Sequence, residues 1–446
     1  MLTSLTAPAF AKTWCIEDGN ITVKAGDTGN DVTQKGETTY GDTDTIITNQ
    51  NKDIASSNTV TIETKDKNDK VEVTLKDVNI EATGGKAAVS VTGSGNTTIE
   101  LDGDNHLTGG ISDNGSYGLS GISSSGSLTI SGGETDSLTA QGGSGTDGSG
   151  GRGIFSKDLT ISGGAVTANG GDSKDGSGGN GIYSSGGVTI SSGSTVTANG
   201  GNGEDGSGGR GITSNGGVTV SGGTVNAKGG SGKNGNGGDG IRSFNPVAIS
   251  GGTVNANGGN SDYSNGGDGI RSLDHVAISG GTVKSNGGSG NLSGGNGIIS
   301  YDIDLSGSLE LTAKAGSPNG KALSRVGSEL DLNTIKDKLD PGAKVTATDA
   351  DGKVIQQVSI PRPVEPEEPS SSSDGGSATP SAPASFLPGL TVTDKDGQRI
   401  SYTSTQSGNT LTVCVGRFTA SLRASLAALR QLRAEGIETI TFQTIL

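Results

Sequence analysis

The sequence predicts an all-β fold: a parallel β-helix solenoid with about 29 residues per coil, followed by a linker and a small C-terminal α+β domain. The first observation is a repeat between about residues 118 and 315, in which Gly-Ile-x-Ser precedes Val-x-Ile-Ser-Gly-Gly and Thr-Val-x-Ala-x-Gly-Gly. The second is alternation of aliphatic and small polar residues, which is typical of short strands. The third is that no helical apolar stripe of about ten residues occurs between residues 20 and 330.

The repeat fixes a register for every position of the coil. Its first aliphatic position is occupied by Ile154, Ile182, Ile212, Ile241, Ile270 and Ile298. A leucine-rich horseshoe is disfavoured because leucine is scarce, and a β-propeller is disfavoured because its blades need about 40 residues or more. The 82 glycines are expected at bends, where glycine adopts positive φ without steric cost.

Two kinds of polar column accompany the aliphatic one. One is a predicted ladder of side-chain amides, formed by Gln141, Asn169, Asn199, Lys228, Asn257 and Asn286. The other consists of serines, of which those at the end of the Gly-Ile-x-Ser step are Ser156, Ser184, Ser214, Ser243, Ser272 and Ser300. We interpret all of these columns as scaffold.

Composition shifts divide the chain into five segments. Residues 1–11 are interpreted as the remnant of a secretory signal peptide, because an apolar stretch ends in Ala9-Phe10-Ala11. Residues 12–56 are predicted lead-in strands, and residues 57–360 are the predicted β-helix, with a short helix near 330–339 over its C-terminal end. Residues 361–388 form a linker rich in Pro and Ser. Residues 389–446 are a predicted ββαβ domain, with Leu422, Leu426, Leu429 and Leu432 on one face of its helix, and we expect the domain to continue beyond the sequence.

Composition also bears on the class of partner. Hydrophobic residues make up 29% and aromatic residues 3%, too little for an ordinary globular core of this length, and the net charge is −15. Nucleic acid is disfavoured because phosphate binding needs clustered Lys and Arg. No apolar run approaches the roughly 18 residues of a membrane span, so membrane insertion is not expected. Together with the signal-like start, this predicts a secreted or cell-surface protein.

One part of the sequence resembles a known family. Residues 71–80 read VEVTLKDVNI and residues 98–105 read TIELDGDN, and both precede the Leu-Thr-Ile-Ser-Gly-Gly units. This arrangement, across roughly residues 14–330, is similar to a clostridial family of secreted carbohydrate-binding domains. The resemblance implies a right-handed parallel β-helix, similar to pectate lyases, that binds plant-type or acidic polysaccharide, with calcium in some members. No individual calcium ligand of the family can be matched to a residue of this chain.

The residue that follows each Gly-Ile isoleucine is predicted to point outward. In successive repeats that position is occupied by Phe155, Tyr183, Thr213, Arg242 and Arg271. Aromatic rings stack on the faces of sugars, and Arg pairs with carboxylates in a bidentate fashion. These five residues are therefore the predicted polysaccharide-binding column. The alternative is that they are ordinary exposed residues at the rim of the coil.

Calcium is a second candidate ligand, although no cofactor is required by the predicted fold. Asp147, Asp175 and Asp205 recur seven residues before the isoleucine of their units, and Asp239 and Asp268 recur two residues before it. Stacked carboxylates about 5 Å apart repel each other unless cations or Arg residues neutralise them. Solvated acidic turns are the alternative interpretation.

The functional hypothesis from the sequence is a secreted, non-catalytic protein that binds polysaccharide. Neither histidine, His106 nor His275, has a matched nucleophile, so the chain is not expected to be an enzyme. The first alternative is a surface adhesin or structural repeat protein with a protein ligand. The second is a calcium-dependent polysaccharide lyase. The oligomeric state stays open.

Overall fold

A computed structural model describes residues 12–362 and, nearer the C-terminus, residues 390–394, 400, 402–407, 409–415, 420–424, 432–433, 437 and 439–444. The chain divides into two compact units, Met1–Val364 and Glu365–Leu446, which are treated separately below. The predicted signal remnant at residues 1–11 and residues 363–388 of the linker lie outside the described residues.

The first unit is a parallel β-solenoid with three walls of strands, which confirms the predicted fold class. Wall 1 contains eleven parallel strands, each beginning with the aliphatic residue of the repeat. Their bounds are Ile21–Ala25, Val60–Glu63, Val89–Thr92, Ile122–Ser124, Ile154–Ser156, Ile182–Ser184, Ile212–Ser214, Ile241–Ser243, Ile270–Ser272, Ile298–Ser300 and Leu323–Arg325. At a strand spacing of about 4.8 Å, eleven rungs span roughly 50 Å.

Walls 2 and 3 belong to one large sheet that bends between them. The strands of wall 2 are Lys12–Cys15, Thr45–Thr48, Lys70–Lys76, Asn96–Asp102, Ser127–Gly132, Leu159–Ile161, Val188–Ile190, Val218–Val220 and Val247–Ile249. The strands of wall 3 are Asn79–Glu81, Asp104–Thr108, Ser137–Gln141, Gly164–Asn169, Ser194–Asn199, Thr224–Lys228, Thr253–Asn257 and Lys344–Thr348. Two long strands, His275–Asn286 and Asp302–Lys314, run through both walls.

The core is a set of aliphatic stacks inside the coil. Ile182 pairs in register with Ile212, and Ile212 pairs with Ile241, and all three side chains are fully buried. The same holds for the wall 3 valines, for example Val196 and Val225. Because each rung supplies only a few aliphatic residues to a narrow core, a chain with 29% hydrophobic residues can bury a continuous apolar interior.

Both ends of the stack are closed by antiparallel strands. At the N-terminal end Asn30–Gln34 and Glu37–Asp42 extend wall 1, and at the C-terminal end Val354–Ser359 pairs with Lys344–Thr348. A 3-10 helix, Leu332–Lys338, buries Leu332 and Ile335 close to the predicted helix position. Closing strands and a covering helix leave few free strand edges for aggregation.

Residues 12–56, predicted as lead-in strands, contribute rungs of the solenoid itself. Lys12–Cys15 pairs in parallel with Thr45–Thr48, and Ile21–Ala25 pairs in parallel with Val60–Glu63. The β-helix therefore begins at residue 12 and not at residue 57. The sequence misses this because the Gly-rich signature of the later repeats is absent from the first rungs.

The predicted amide ladder is present at two of its five steps, and at its start Gln141 Nε2 donates to the Gly142 carbonyl instead of to Asn169. Asn199 Nδ2 donates to Asn169 Oδ1 at 2.9 Å, and Asn286 Nδ2 donates to Asn257 Oδ1 at 2.7 Å. Lys228 interrupts the column between Asn199 and Asn257. The column serines are internal: the Ser214 hydroxyl is buried, and its single proton lies between two turn carbonyls, those of Gly186 and Gly217, each 2.7 Å from the Ser214 Oγ.

The glycine pairs have two different structural causes. Between walls 2 and 3 the second glycine of the pair has positive φ, as predicted, with values of 75° at Gly223 and 79° at Gly252. The pairs between walls 3 and 1 do not: Gly171 and Gly179 lie outside the positive-φ region, but a Cβ on Gly179 would overlap the carbonyl of Gly151. The prediction of positive φ was therefore wrong for these second pairs, where close backbone approach is the reason for glycine.

These wall 3 to wall 1 loops form a hydrogen-bonded layer of their own. Gly171 N donates to Gly151 O, Gly179 N to Gly171 O, and Gly201 N to Gly179 O, each at 2.8 Å. In each rung one glycine pair follows the wall 3 strand and a second pair precedes the wall 1 strand. The two kinds of pair bond to each other in alternation along the stack. The layer satisfies backbone groups that an ordinary loop would expose to water.

The C-terminal unit has two small sheets among its described residues. Leu390–Asp394 pairs with Ala420–Ala424, and Thr410–Val415 pairs with both Thr403–Ser407 and Thr439–Thr444. Leu422, predicted on the face of a helix, lies in a strand, so the simple ββαβ order was wrong. Of the predicted helical segment only residues 432–433 are described as helical, and residues 425–431 lie outside the described residues.

Candidate functional site: the outer face of wall 1

The register of wall 1 brings the five predicted binding residues together. Phe155 pairs with Tyr183, Tyr183 with Thr213, Thr213 with Arg242, and Arg242 with Arg271. The predicted alignment on one wall is therefore confirmed. We call the full set of these positions the outer column: Thr22, Thr61, Ser90, Ser123, Phe155, Tyr183, Thr213, Arg242, Arg271, Ile299 and Ser324.

An aromatic pair occupies the middle of the outer column. The ring centroids of Phe155 and Tyr183 are 5.7 Å apart, with an interplanar angle of 31°. The Arg152 guanidinium lies 5.3 Å from the Phe155 ring centroid and 4.7 Å from that of Tyr183. Asn215 Nδ2 donates to the Tyr183 hydroxyl at 3.3 Å. The two rings and the cation therefore form a preorganised platform.

Thr213 does not contribute an exposed group to this face. It is only 2% exposed, and its hydroxyl is buried without a hydrogen-bond partner among the described residues. The longer side chains of Tyr183 and Arg242 stand on the rungs on either side, which leaves little room for solvent above the threonine. The prediction that Thr213 contacts ligand is contradicted by this burial.

A basic cluster follows the aromatic pair, and we define it as Arg210, Arg242, Arg271, Asp239 and Asp268. Asp239 Oδ2 lies 3.3 Å from Arg210 Nε and 3.6 Å from Arg242 NH1. Asp268 Oδ2 lies 3.3 Å from Arg271 NH1. The aspartates are almost fully buried, whereas the arginine side chains are 21–37% exposed. The buried carboxylates thus hold three guanidinium groups at the surface.

The basic cluster carries three positive and two negative formal charges. Burial, together with the charge of Arg210, lowers the pKa of Arg242 from its ordinary value. Burial and the charge of Asp239 raise the pKa of Asp268. The cluster therefore presents an excess of positive charge on the face of a chain whose net charge is −15, a distribution that attracts anions locally.

The five aspartates of the calcium hypothesis lie in two different environments. Among the described residues, no group of three or more His, Cys, Asp or Glu side chains could hold a metal ion. Asp147, Asp175 and Asp205 lie in exposed loop turns, away from wall 1. Asp239 and Asp268 instead link rungs, since Asp239 Oδ1 accepts from Asp268 N at 2.9 Å and Asp268 Oδ1 accepts from Asn296 N at 2.6 Å. The five aspartates were wrongly treated as one kind of site.

Sequence reasoning missed a groove beside the first rungs of wall 1. Its volume is about 970 Å³, and its floor is the N-terminal part of the outer column, Thr22, Thr61, Ser90 and Ser123. Residues 117–120 form part of its lining, and Arg152 and Phe155 lie at its boundary with the aromatic pair. Val89 and Ile122 align in the sequence with the isoleucine of the Gly-Ile step, a signal that could have identified Ser90 and Ser123 as outward positions, but no sequence signal predicts the loop beside them.

Comparisons with known proteins identify no relative. No family model, curated protein or solved structure matches the chain. The class that the coordinates define is therefore a parallel β-solenoid with an aromatic and basic outer face. In the described part of the chain, no helix has both the length and the apolar character needed to cross a bilayer.

Proposed function

We propose that the protein is a secreted or surface-located, non-catalytic polysaccharide-binding protein whose ligand lies along the outer column. The observation that carries the proposal is that the aromatic pair and the basic cluster stand in one column of one wall, separated only by the rung of the buried Thr213. A sugar polymer has repeating apolar ring faces and repeating polar edges. A column of rings followed by guanidinium groups offers partners for both.

The chemistry of the basic cluster favours an acidic polysaccharide. Arg242 and Arg271 are held by one nitrogen each to buried aspartates, which leaves further N–H groups of both guanidiniums free to meet a ligand carboxylate. Holding the side chains in place reduces the entropy that binding must remove. The groove over Thr22 to Ser123 supplies hydroxyl groups for the neutral part of the same chain.

The spacing of the rungs supports an extended polymer in place of a compact ligand. Equivalent side chains recur about every 4.8 Å along the stack, which is comparable to the length of one sugar unit in an extended chain. A ligand that spans several rungs gains many weak contacts. Each contact is modest, so affinity depends on the number of rungs engaged.

The test is binding to a panel of neutral and acidic polysaccharides, measured by calorimetry with and without chelator. The variants are Tyr183→Ala and Arg242→Gln, and the matched control is Lys233→Gln on an exposed loop. We expect each of the first two to weaken binding about tenfold, the loss of roughly 1.4 kcal/mol, and the control to change nothing. Unchanged binding in both site variants would contradict the proposal.

The same panel separates the alternatives. Release of unsaturated, ultraviolet-absorbing product from an acidic polysaccharide would make the protein a lyase. Binding to no polysaccharide at all would favour an adhesin or structural role. Binding that disappears with chelator would restore the calcium hypothesis, whereas the proposal expects binding to persist.

A further inference from the structure

A second column lies directly after the C-terminal ends of the wall 1 strands, two residues beyond the outer column in sequence. In the C-terminal rungs it is occupied by Phe244, Leu273, Tyr301 and Val326, next to Ser243, Ser272, Ser300 and Arg325 of wall 1. We call these four residues the apolar strip. Phe244 is 45%, Tyr301 66% and Val326 69% exposed. The equivalent positions of earlier rungs are polar, among them Lys157, Ser185 and Asn215.

The strip is continuous with the basic cluster. Arg242 is in the outer column, and its guanidinium lies 5.3 Å from the ring centroid of Phe244 in the strip. Residues two apart along a strand are separated by about 6.6 Å, so the two columns run side by side on one face. A ligand on the outer column would therefore have the strip directly beside it.

At Val326 the strip has an apolar residue at a turn position whose backbone conformation favours asparagine or glycine. Val326 forms a two-residue turn with Gly327 between Arg325 and Ser328, and both turn residues have positive φ, 47° and 79°. This turn favours Asn-Gly, and positive φ is strained for a β-branched residue. An asparagine would relieve that strain. A strained and exposed valine is consistent with a surface role for its side chain.

We propose that the apolar strip binds the ring faces of a second polysaccharide chain beside the one on the outer column, so that the ligand is a laterally associated, insoluble polysaccharide. The inference rests on the proposed function. The occupant follows from continuity: Arg242 of the outer column contacts Phe244 of the strip, and the strip repeats with the same rung spacing. Exposed Phe and Tyr rings stack on the apolar faces of sugars.

The experiment compares insoluble and soluble forms of the same polymers with the full chain. The probes are insoluble cellulose, chitin and cross-linked polygalacturonate, together with soluble oligosaccharides of each. The variants are the double substitution Phe244→Ser/Tyr301→Ser and the single substitution Val326→Asn. The control is Tyr263→Ser, which removes a tyrosine of similar exposure, 61%, from a loop outside the strip.

We expect the double variant to lose at least about tenfold in retention on an insoluble polymer while it keeps its affinity for the soluble form. Val326→Asn should weaken retention severalfold with an unchanged or raised thermal midpoint, which separates binding from folding. Tyr263→Ser should behave as wild type.

Three results with the double variant would overturn the inference: equal retention, a proportional loss of soluble binding, or the loss of a dimer that the wild type forms. The last result would assign the strip to a second copy of the chain. Wild-type binding to a soluble chain but to no insoluble polymer refutes only this inference. Binding to no polysaccharide in any form refutes the proposed function.

Discussion

The glycine-rich loops and the outer column belong to the same rungs but differ in how they vary. From Gly170 to Gly288 the loop glycine pairs recur in every repeat, whereas the outer column changes from Phe155 to Tyr183, Thr213 and Arg242. In the loops the backbone of one rung contacts the backbone of the next, so no side chain can be accommodated. In the outer column the side chain points away from the stack. The loop glycines are therefore uniform because backbone packing excludes other residues. The outer column varies because packing inside the stack does not determine which side chain stands there.

This difference bears on function. A repeat protein built only as a spacer could carry the same small residue on every rung of an outward column. Here two aromatic rings and two guanidinium groups occur in one column, and two buried aspartates position the guanidiniums. Such buried carboxylates have a desolvation cost that the packing of the solenoid does not require. The cost is consistent with selection for what the face binds.

The largest predicted effect is steric and lies in the glycine layer. Gly179→Ala should destabilise the solenoid by about 3 kcal/mol, because its Cβ would overlap the Gly151 carbonyl and neighbouring rungs prevent the backbone from moving. Gly187→Ala, a few residues away, is the matched control, since the nearest atom to its added Cβ is Gly217 O at 3.8 Å. Urea unfolding measures both. Equal stabilities of the two variants would show that the layer can relax.

The second prediction compares two adjacent residues of one strand. Ser214→Ala removes the buried hydroxyl whose single proton is shared between the Gly186 and Gly217 carbonyls, and it should cost about 1–2 kcal/mol. Thr213→Val replaces a buried hydroxyl without a partner by a methyl group of similar shape, so it should be neutral or stabilising. Thermal unfolding of the two variants checks the order. A larger loss for Thr213→Val would indicate a hidden partner for its hydroxyl.

Much of the solenoid could be predicted because its period is written in the sequence. The isoleucine spacing determines which residues stack, so the order Phe155, Tyr183, Thr213, Arg242 along wall 1 follows from alignment alone. The amide ladder from Asn169 to Asn199 follows in the same way. Residues at equivalent positions of the sequence repeat lie at equivalent positions of successive rungs. The strand register can therefore be predicted without knowing which residues distant in sequence are in contact.

Features that depend on the size of neighbouring side chains could not be predicted in this way. The burial of Thr213 depends on the residues flanking it on other rungs. The pairing of Asp239 with Arg210 and Arg242 joins residues up to 29 positions apart, and the sequence alone had suggested calcium for the aspartate. The groove is lined by Tyr117 and Leu119, which stand at the positions of Ser149 and Gly151 in the next repeat, so it depends on side chains that the repeat pattern does not specify.

The third prediction concerns the buried carboxylate of the basic cluster. Burial and Asp239 raise the pKa of Asp268 in the folded protein, so its protonated form favours folding. This contribution is fully present below the unfolded value of about 3.9 and is lost as pH rises through the raised folded pKa. The stability of the wild type relative to Asp268→Asn should therefore fall with rising pH. Thermal midpoints of both proteins from acid to neutral pH test it, and the opposite slope would mean that the Arg271 ion pair dominates.

The smallest predicted effect is a repair of the amide ladder. Lys228 lies in register between Asn199 and Asn257, so Lys228→Asn should add amide hydrogen bonds along the column. The gain should be at most about 1 kcal/mol, because the neighbouring Asn255 Nδ2 already donates to Asn226 Oδ1 at 2.8 Å and ties the same two rungs. Lys228→Ala is the control, since it removes the lysine without supplying an amide. If alanine stabilises as much as asparagine in thermal unfolding, the benefit comes from removing the lysine, and the ladder adds no stability at this rung.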